Sequence, residues 1–80
     1  MREIIIGGTY KHFKGGLYKV TGTARNSENT KEEFVIYKHL DGEPEYGLDQ
    51  LYIRSLIMFL EEITRDGKTF CRFEEVKEVK

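Results

Sequence analysis

The chain has no tryptophan, one cysteine and one proline in 80 residues, and its 13 basic and 14 acidic side chains leave a formal net charge of −1. Each scarcity excludes something. A lone thiol, Cys71, closes no internal disulfide, so a disulfide scaffold is ruled out and nothing indicates an oxidising compartment. With His12 and His39 it makes three metal-competent side chains, none at a ligand spacing such as C-x-x-C or H-x-x-x-H. No metal and no cofactor are expected. Near-zero net charge supplies no strong field for a polyanion, so nucleic acid is not the expected partner. The longest apolar runs, 4–6 and 56–60, fall far short of the ~20 residues a membrane-spanning helix needs. Met1-Arg2-Glu3 and the isoleucines after it lack the long apolar region of a secretory signal. The expectation is a cytoplasmic protein that does not engage a membrane.

What the chain does have is a balance of 39% hydrophobic and 34% charged residues, which suits a soluble globular domain. Residues 1–80 are read as one domain, a monomer or at most a weak homodimer. A chain of this size hides only about 60% of its unfolded surface, so each buried aromatic matters for stability. Charge is unevenly spread: residues 1–40 hold seven Lys/Arg against four Asp/Glu, and 41–80 hold six against ten. The halves therefore carry +3 and −4, which would orient an acidic ligand towards the first half.

Glycine turns at Gly7-Gly8, Gly15-Gly16, Asp41-Gly42 and Asp66-Gly67 punctuate the chain at the spacing of short strands. Tyr18 to Arg25 alternates small or apolar with polar residues, the period of a half-exposed strand. Glu33 to Leu40 is apolar on both parities and reads as a central strand covered on both faces. Tyr52–Ser55 and Phe70–Phe73 are shorter strands. Leu56, Phe59, Leu60 and Ile63 recur at helical spacing behind a possible cap at Ser55, predicting one or two turns over 56–63. Segments 26–31 and 41–50 read as loops. The fold expected is all-β: a small barrel of about five short antiparallel strands with one helical turn before the last strand. A longer helix over 55–65 in an α+β fold is the alternative. Val20, Phe34, Ile36 and Phe59 are expected at the centre of the core.

Five segments in order, YKHFKGGLYKV (10–20), ARNSENT (24–30), FVIYKHL (34–40), YIRSLIMF (52–59) and GKTFCRF (67–73), carry a more specific signal. Together they resemble a small bacterial family of unknown function, domain-of-unknown-function family 1653. Its pattern runs G-x-Y-x-H-F-K-G-x-x-Y-x-V, an H-S-E-T-like stretch, V-V-Y, W-V-R-P-x-x-M-F and a closing R-F. The likeness covers about Gly8 to Phe73 and implies an SH3-like barrel. The chain departs from the pattern where Asn26 stands for the histidine of the H-S-E-T stretch, which also carries an extra residue, where Tyr52 stands for tryptophan and Ser55 for proline, and at Cys71, where the family usually has another residue.

No nucleophile with an orienting base can be assembled, so no catalytic residue is assigned. Cys71 reads as an inert thiol, because Arg72 beside it projects to the other face of a strand. The FKGG segment is too short for a phosphate loop and reads as a β-turn. Tyr52 and Arg54 share one strand face, placing an aromatic ring beside a guanidinium, a pairing that grips carboxylates and phosphates. The expected function is a binding module for a peptide or small anionic ligand, with Tyr10, His12, Ser27, Glu28, Tyr37, Tyr52 and Arg54 as ligand-binding candidates. An ion pair from Arg54 to Glu28 or another carboxylate, pinning the loop to the barrel, is the structural alternative. A nucleic-acid module would instead use Lys11, Lys14, Lys19 and Lys38 among surface aromatics, and an enzyme would need His12 within reach of Ser27 or Glu28.

Overall fold

The chain doubles back where its sequence supplies residues that tolerate positive φ or that hydrogen-bond their own backbone. In the computed structural model, which describes residues 4–76, strands β1 (Thr9–His12) and β2 (Leu17–Asn26) are joined by a turn in which Gly15 and Gly16 adopt φ of 103° and 91°. Met1–Glu3, read above for a leader, lie outside the described residues. β2 continues into β3 (Asn29–His39) through Ser27 and Glu28 alone. Asn26 makes so short a turn possible: its Oδ1 accepts the Glu28 N–H at 2.9 Å and its Nδ2 donates to Glu32 at 2.9 Å. The loop expected over 26–31 is thus mostly strand.

A long connection leads to β4 (Tyr52–Ser55), a single helical turn α1 (Leu56–Phe59), a hairpin of β5 (Glu62–Arg65) and β6 (Lys68–Cys71), and finally β7 (Phe73–Glu75). β1 to β4 and β7 form one antiparallel sheet in the order β4-β3-β2-β1-β7, while β5 and β6 pair separately. The all-β expectation holds, with two differences. The helix stops at Phe59 instead of reaching residue 63, because the Glu61 carbonyl accepts the Arg72 N–H at 2.9 Å and Asp66-Gly67, at φ of 52° and 76°, folds the following residues into a hairpin. That hairpin also removes the longer helix of the α+β alternative. In addition, the strand expected over Phe70–Phe73 breaks at Arg72 into the end of β6 and the start of β7.

The core comprises Tyr10, Val20, Val35, Tyr37, Phe59 and Phe73. Ser55 caps α1 by accepting the Met58 N–H at 3.2 Å, and the single turn delivers Phe59 inward. There it stacks on Phe73 with ring centres 4.1 Å apart and takes the edge of Tyr10 at 5.3 Å. Val20 and Phe59 are core as expected, whereas Phe34 and Ile36 are only half-buried and Val35 and Tyr37 take their place. With apolar residues on both parities, β3 alone does not say which set faces inward. Pairing decides it: Val20 lies opposite Tyr37, and a bulge at Thr21 shifts the register beyond.

Candidate functional site

Side chains alternate across a strand, so residues that pair across the sheet share a face. Tyr18 pairs with His39, Tyr37 with Tyr52, Val35 with Arg54, and His12 with Phe73. All lie on the core-facing side. Beyond the buried centre this face emerges at the surface, where His12, Tyr18, His39, Tyr52 and Arg54 are half-buried.

Their rings form a continuous aromatic floor. Ring centres run from Phe73 to Tyr18 at 5.6 Å, on to His39 at 4.6 Å, to Tyr52 at 5.4 Å, to Tyr37 at 6.1 Å and back to Phe73 at 5.7 Å. The Arg54 guanidinium lies 5.3 Å from the centre of the Phe73 ring. Among the described residues it forms no ion pair; the two salt bridges there join Arg25 to Glu33 and Arg72 to Glu61.

The turn after β1 sets the state of His12. Its ring Nδ1 accepts the Lys14 N–H at 3.1 Å, its own N–H donates to the Gly16 carbonyl at 3.1 Å, and its carbonyl accepts the Gly15 N–H at 2.8 Å. An accepting Nδ1 leaves the proton of the neutral ring on Nε2. Desolvation, followed by the charges of Arg54, Arg72 and Lys14, lowers the pKa of His12 below its ordinary 6.5. Tyr18 moves up from 10.0, first through desolvation and then through Tyr37 and Asp41, so its phenol stays protonated. The floor therefore offers neutral donors around one fixed positive charge. Against its Tyr52 end lies a shallow cleft of about 280 Å³ lined by Tyr46, Gln50, Leu51 and Tyr52.

Of the residues picked out by sequence, the structure brings the half-buried His12, Tyr52 and Arg54 together around Tyr37, itself a buried core residue. Tyr10 is 2% exposed and belongs to the core, its hydroxyl oxygen accepting the Ile5 N–H at 3.1 Å. Ser27 and Glu28 occupy the far tip of the β2–β3 hairpin, roughly 20 Å along the strand from Val35 at ~3.3 Å per residue. No Arg54–Glu28 ion pair forms, and His12 does not meet Ser27 or Glu28. Asn26, which stands where the family pattern has histidine, works as a turn residue. Tyr18, His39 and Phe73 were not picked out, although Tyr18 and Phe73 belong to the Y-x-V and R-F segments. The segments that carried the resemblance supply most of the site.

Residues 8–75 match the family model of the protein of unknown function DUF1653. The chain belongs to the DUF1653 family. The crystal structure of a DUF1653 protein from Bordetella bronchiseptica is similar to it at 28% identity and a TM-score of 0.74, over 95% of this chain and 92% of that one. No curated protein matches this DUF1653 chain. Among its described residues no helix is long and apolar enough to cross a membrane, and no three His, Cys, Asp or Glu side chains converge as metal ligands.

Proposed function

We propose that this DUF1653 chain is a small binding module that receives the anionic group of a peptide or small molecule on Arg54, with the aromatic floor holding the ligand's apolar part. The observation that carries this reading is the position of Arg54: a half-buried residue whose guanidinium is set over Phe73 and pairs with no carboxylate of the described residues. Partial desolvation of a charge is costly, and a cation–π contact offsets only part of it. A ligand carboxylate or phosphate supplies the missing partner, and the planar guanidinium fork suits bidentate contact. Neutral His12 and protonated Tyr18 add donors that carry no negative charge of their own. In this reading the module acts in the cytoplasm, where its one thiol stays reduced.

The test is a thermal-shift screen of metabolites, nucleotides and short peptides on the wild type and on Arg54→Ala. Stabilising ligands should carry a carboxylate or phosphate and lose their effect in the variant. Hits that are neutral or cationic, or that act equally on Arg54→Ala, would reject the reading.

A further inference from the structure

A second aromatic and basic surface lies around Phe13. A cleft of about 350 Å³, within the range of small-molecule sites, is lined by Lys11, His12, Phe13, Phe70, Cys71 and Glu74. The Phe13 and Phe70 rings stand 5.5 Å apart, tilted by 41°. The Phe13 N–H donates to the Arg72 carbonyl at 3.0 Å, which anchors that ring at the junction of β6 and β7. Lys11 and Glu74 pair across β1 and β7 on the parity opposite to Tyr10 and Phe73, whereas His12 shares the parity of the face that carries Arg54.

Three cations crowd one ring. The Arg65, Lys14 and Arg72 head groups lie 5.3, 5.8 and 5.9 Å from the centre of Phe13. Arg72 is neutralised by Glu61, while Lys14 and Arg65 pair with no carboxylate of the described residues; Lys11 stands opposite Glu74 in the strand register without an ion pair to it. Arg65 also faces Lys68 across the β5–β6 hairpin, a like-charge pair that costs stability. Gathering positive charge this way is unfavourable on its own, and a multiply charged anion beside the Phe13 ring relieves it. Aromatic side chains beside such charges are what a flat ring bearing a phosphate requires, since the ring stacks while the phosphate takes the cations.

We infer that the Phe13/Phe70 cleft is a binding site for an aromatic ring that carries a phosphate, a ligand of the nucleoside monophosphate class, with Lys14 and Arg65 as its phosphate contacts. It adjoins the Arg54 surface at His12, which belongs to both, but uses different cations and stands whether or not Arg54 binds an anion.

The probes are adenosine 5′-monophosphate, adenosine and inorganic phosphate, titrated into the full chain and followed by amide NMR shifts and calorimetry. The monophosphate should bind at least about tenfold more tightly than either adenosine or phosphate alone and should shift the amides of Phe13, Phe70 and Cys71. Lys14→Gln and Arg65→Gln, both at exposed positions, should each weaken it about five- to tenfold with a melting temperature that is unchanged or slightly raised. The inference is overturned if adenosine binds as well as its monophosphate, if phosphate alone does so, or if neither substitution matters. Shifts confined to the Arg54 face, or no binding at all, overturn it equally.

Discussion

Arg54 and Phe73 stand on opposite edges of the main sheet, yet the guanidinium carbon lies 5.3 Å from the centre of the ring. β4 and β7 share no backbone ladder among the described residues, so side chains draw the two edges towards each other. Phe59 provides the bridge: it rises from α1 directly after β4 and stacks on Phe73 of β7. Its core packing and the placement of Arg54 are therefore one arrangement. The same curl that buries Phe73 presents the guanidinium beside Tyr18, Tyr37, His39 and Tyr52.

Phe59→Ala should cost about 3–5 kcal/mol, the range for deleting a large buried aromatic, and in so small a domain that is a large share of total stability. Chemical denaturation monitored by circular dichroism measures it. An unchanged midpoint would mean that the stack with Phe73 does not hold the sheet edges together.

The parity of β3 gives a paired test. Val35→Ala should destabilise by roughly 1–3 kcal/mol, because Val35 is 0% exposed. Ile36→Ala, on the half-buried outer side, should cost clearly less. A larger loss at Ile36 than at Val35 would contradict the register that pairs Val35 with Arg54.

These same residues mark what was legible in advance. Tyr52 and Arg54 on one face followed from strand alternation, and Phe59 followed from helical spacing, because each signal is local. The inward parity of β3 was not legible, since Phe34 and Ile36 are as apolar as Val35 and Tyr37, and the Thr21 bulge that shifts the pairing leaves no periodic trace. Tyr18 and His39 escaped for a related reason: their adjacency is a cross-strand fact between distant segments. Glu62 to Arg65 looked like the end of a helix because Ile63 continues the apolar spacing, but the Asp66-Gly67 turn outweighs so weak a preference. Ser27 and Glu28 looked close to Arg54 through the family likeness and the free carboxylate of Glu28, but the Asn26 turn holds them at the far tip of the hairpin.

Acidification should weaken the fold through His12. Its folded pKa lies below the ordinary 6.5, so between those two values the unfolded chain binds a proton that the folded chain refuses. The stability held in the neutral ring is complete above that ordinary value, falls as pH drops through the window and levels off below the folded pKa. Urea midpoints measured from about pH 7.5 to about 5 should decline less steeply in His12→Gln than in the wild type. Equal slopes, or a wild type that gains stability on acidification across that window, would contradict this.

Gly16→Ala should disturb both fold and site. A side chain at φ of 91° is strained, and the added Cβ would meet the Tyr18 ring at 3.4 Å. A loss of about 1–3 kcal/mol is expected. The Gly16 carbonyl accepts the His12 N–H, so the His12 ring resonances should move as well. A variant with unchanged stability and unchanged His12 shifts would show that this turn does not set the imidazole.

Anion capture by Arg54 is tested most directly by titrating benzoate and its neutral analogue benzamide into isotope-labelled protein. The two probes share a ring for the aromatic floor and differ in the charge offered to the guanidinium. Benzoate should shift the Arg54 side-chain N–H and the amides of Tyr18, Tyr37, His39 and Tyr52 along a saturating curve, benzamide should bind at least about tenfold more weakly, and Arg54→Ala should abolish the difference while leaving the melting temperature nearly unchanged. Equal shifts from both probes, or a benzoate response that survives in Arg54→Ala, would contradict the assignment of this surface to an anionic ligand.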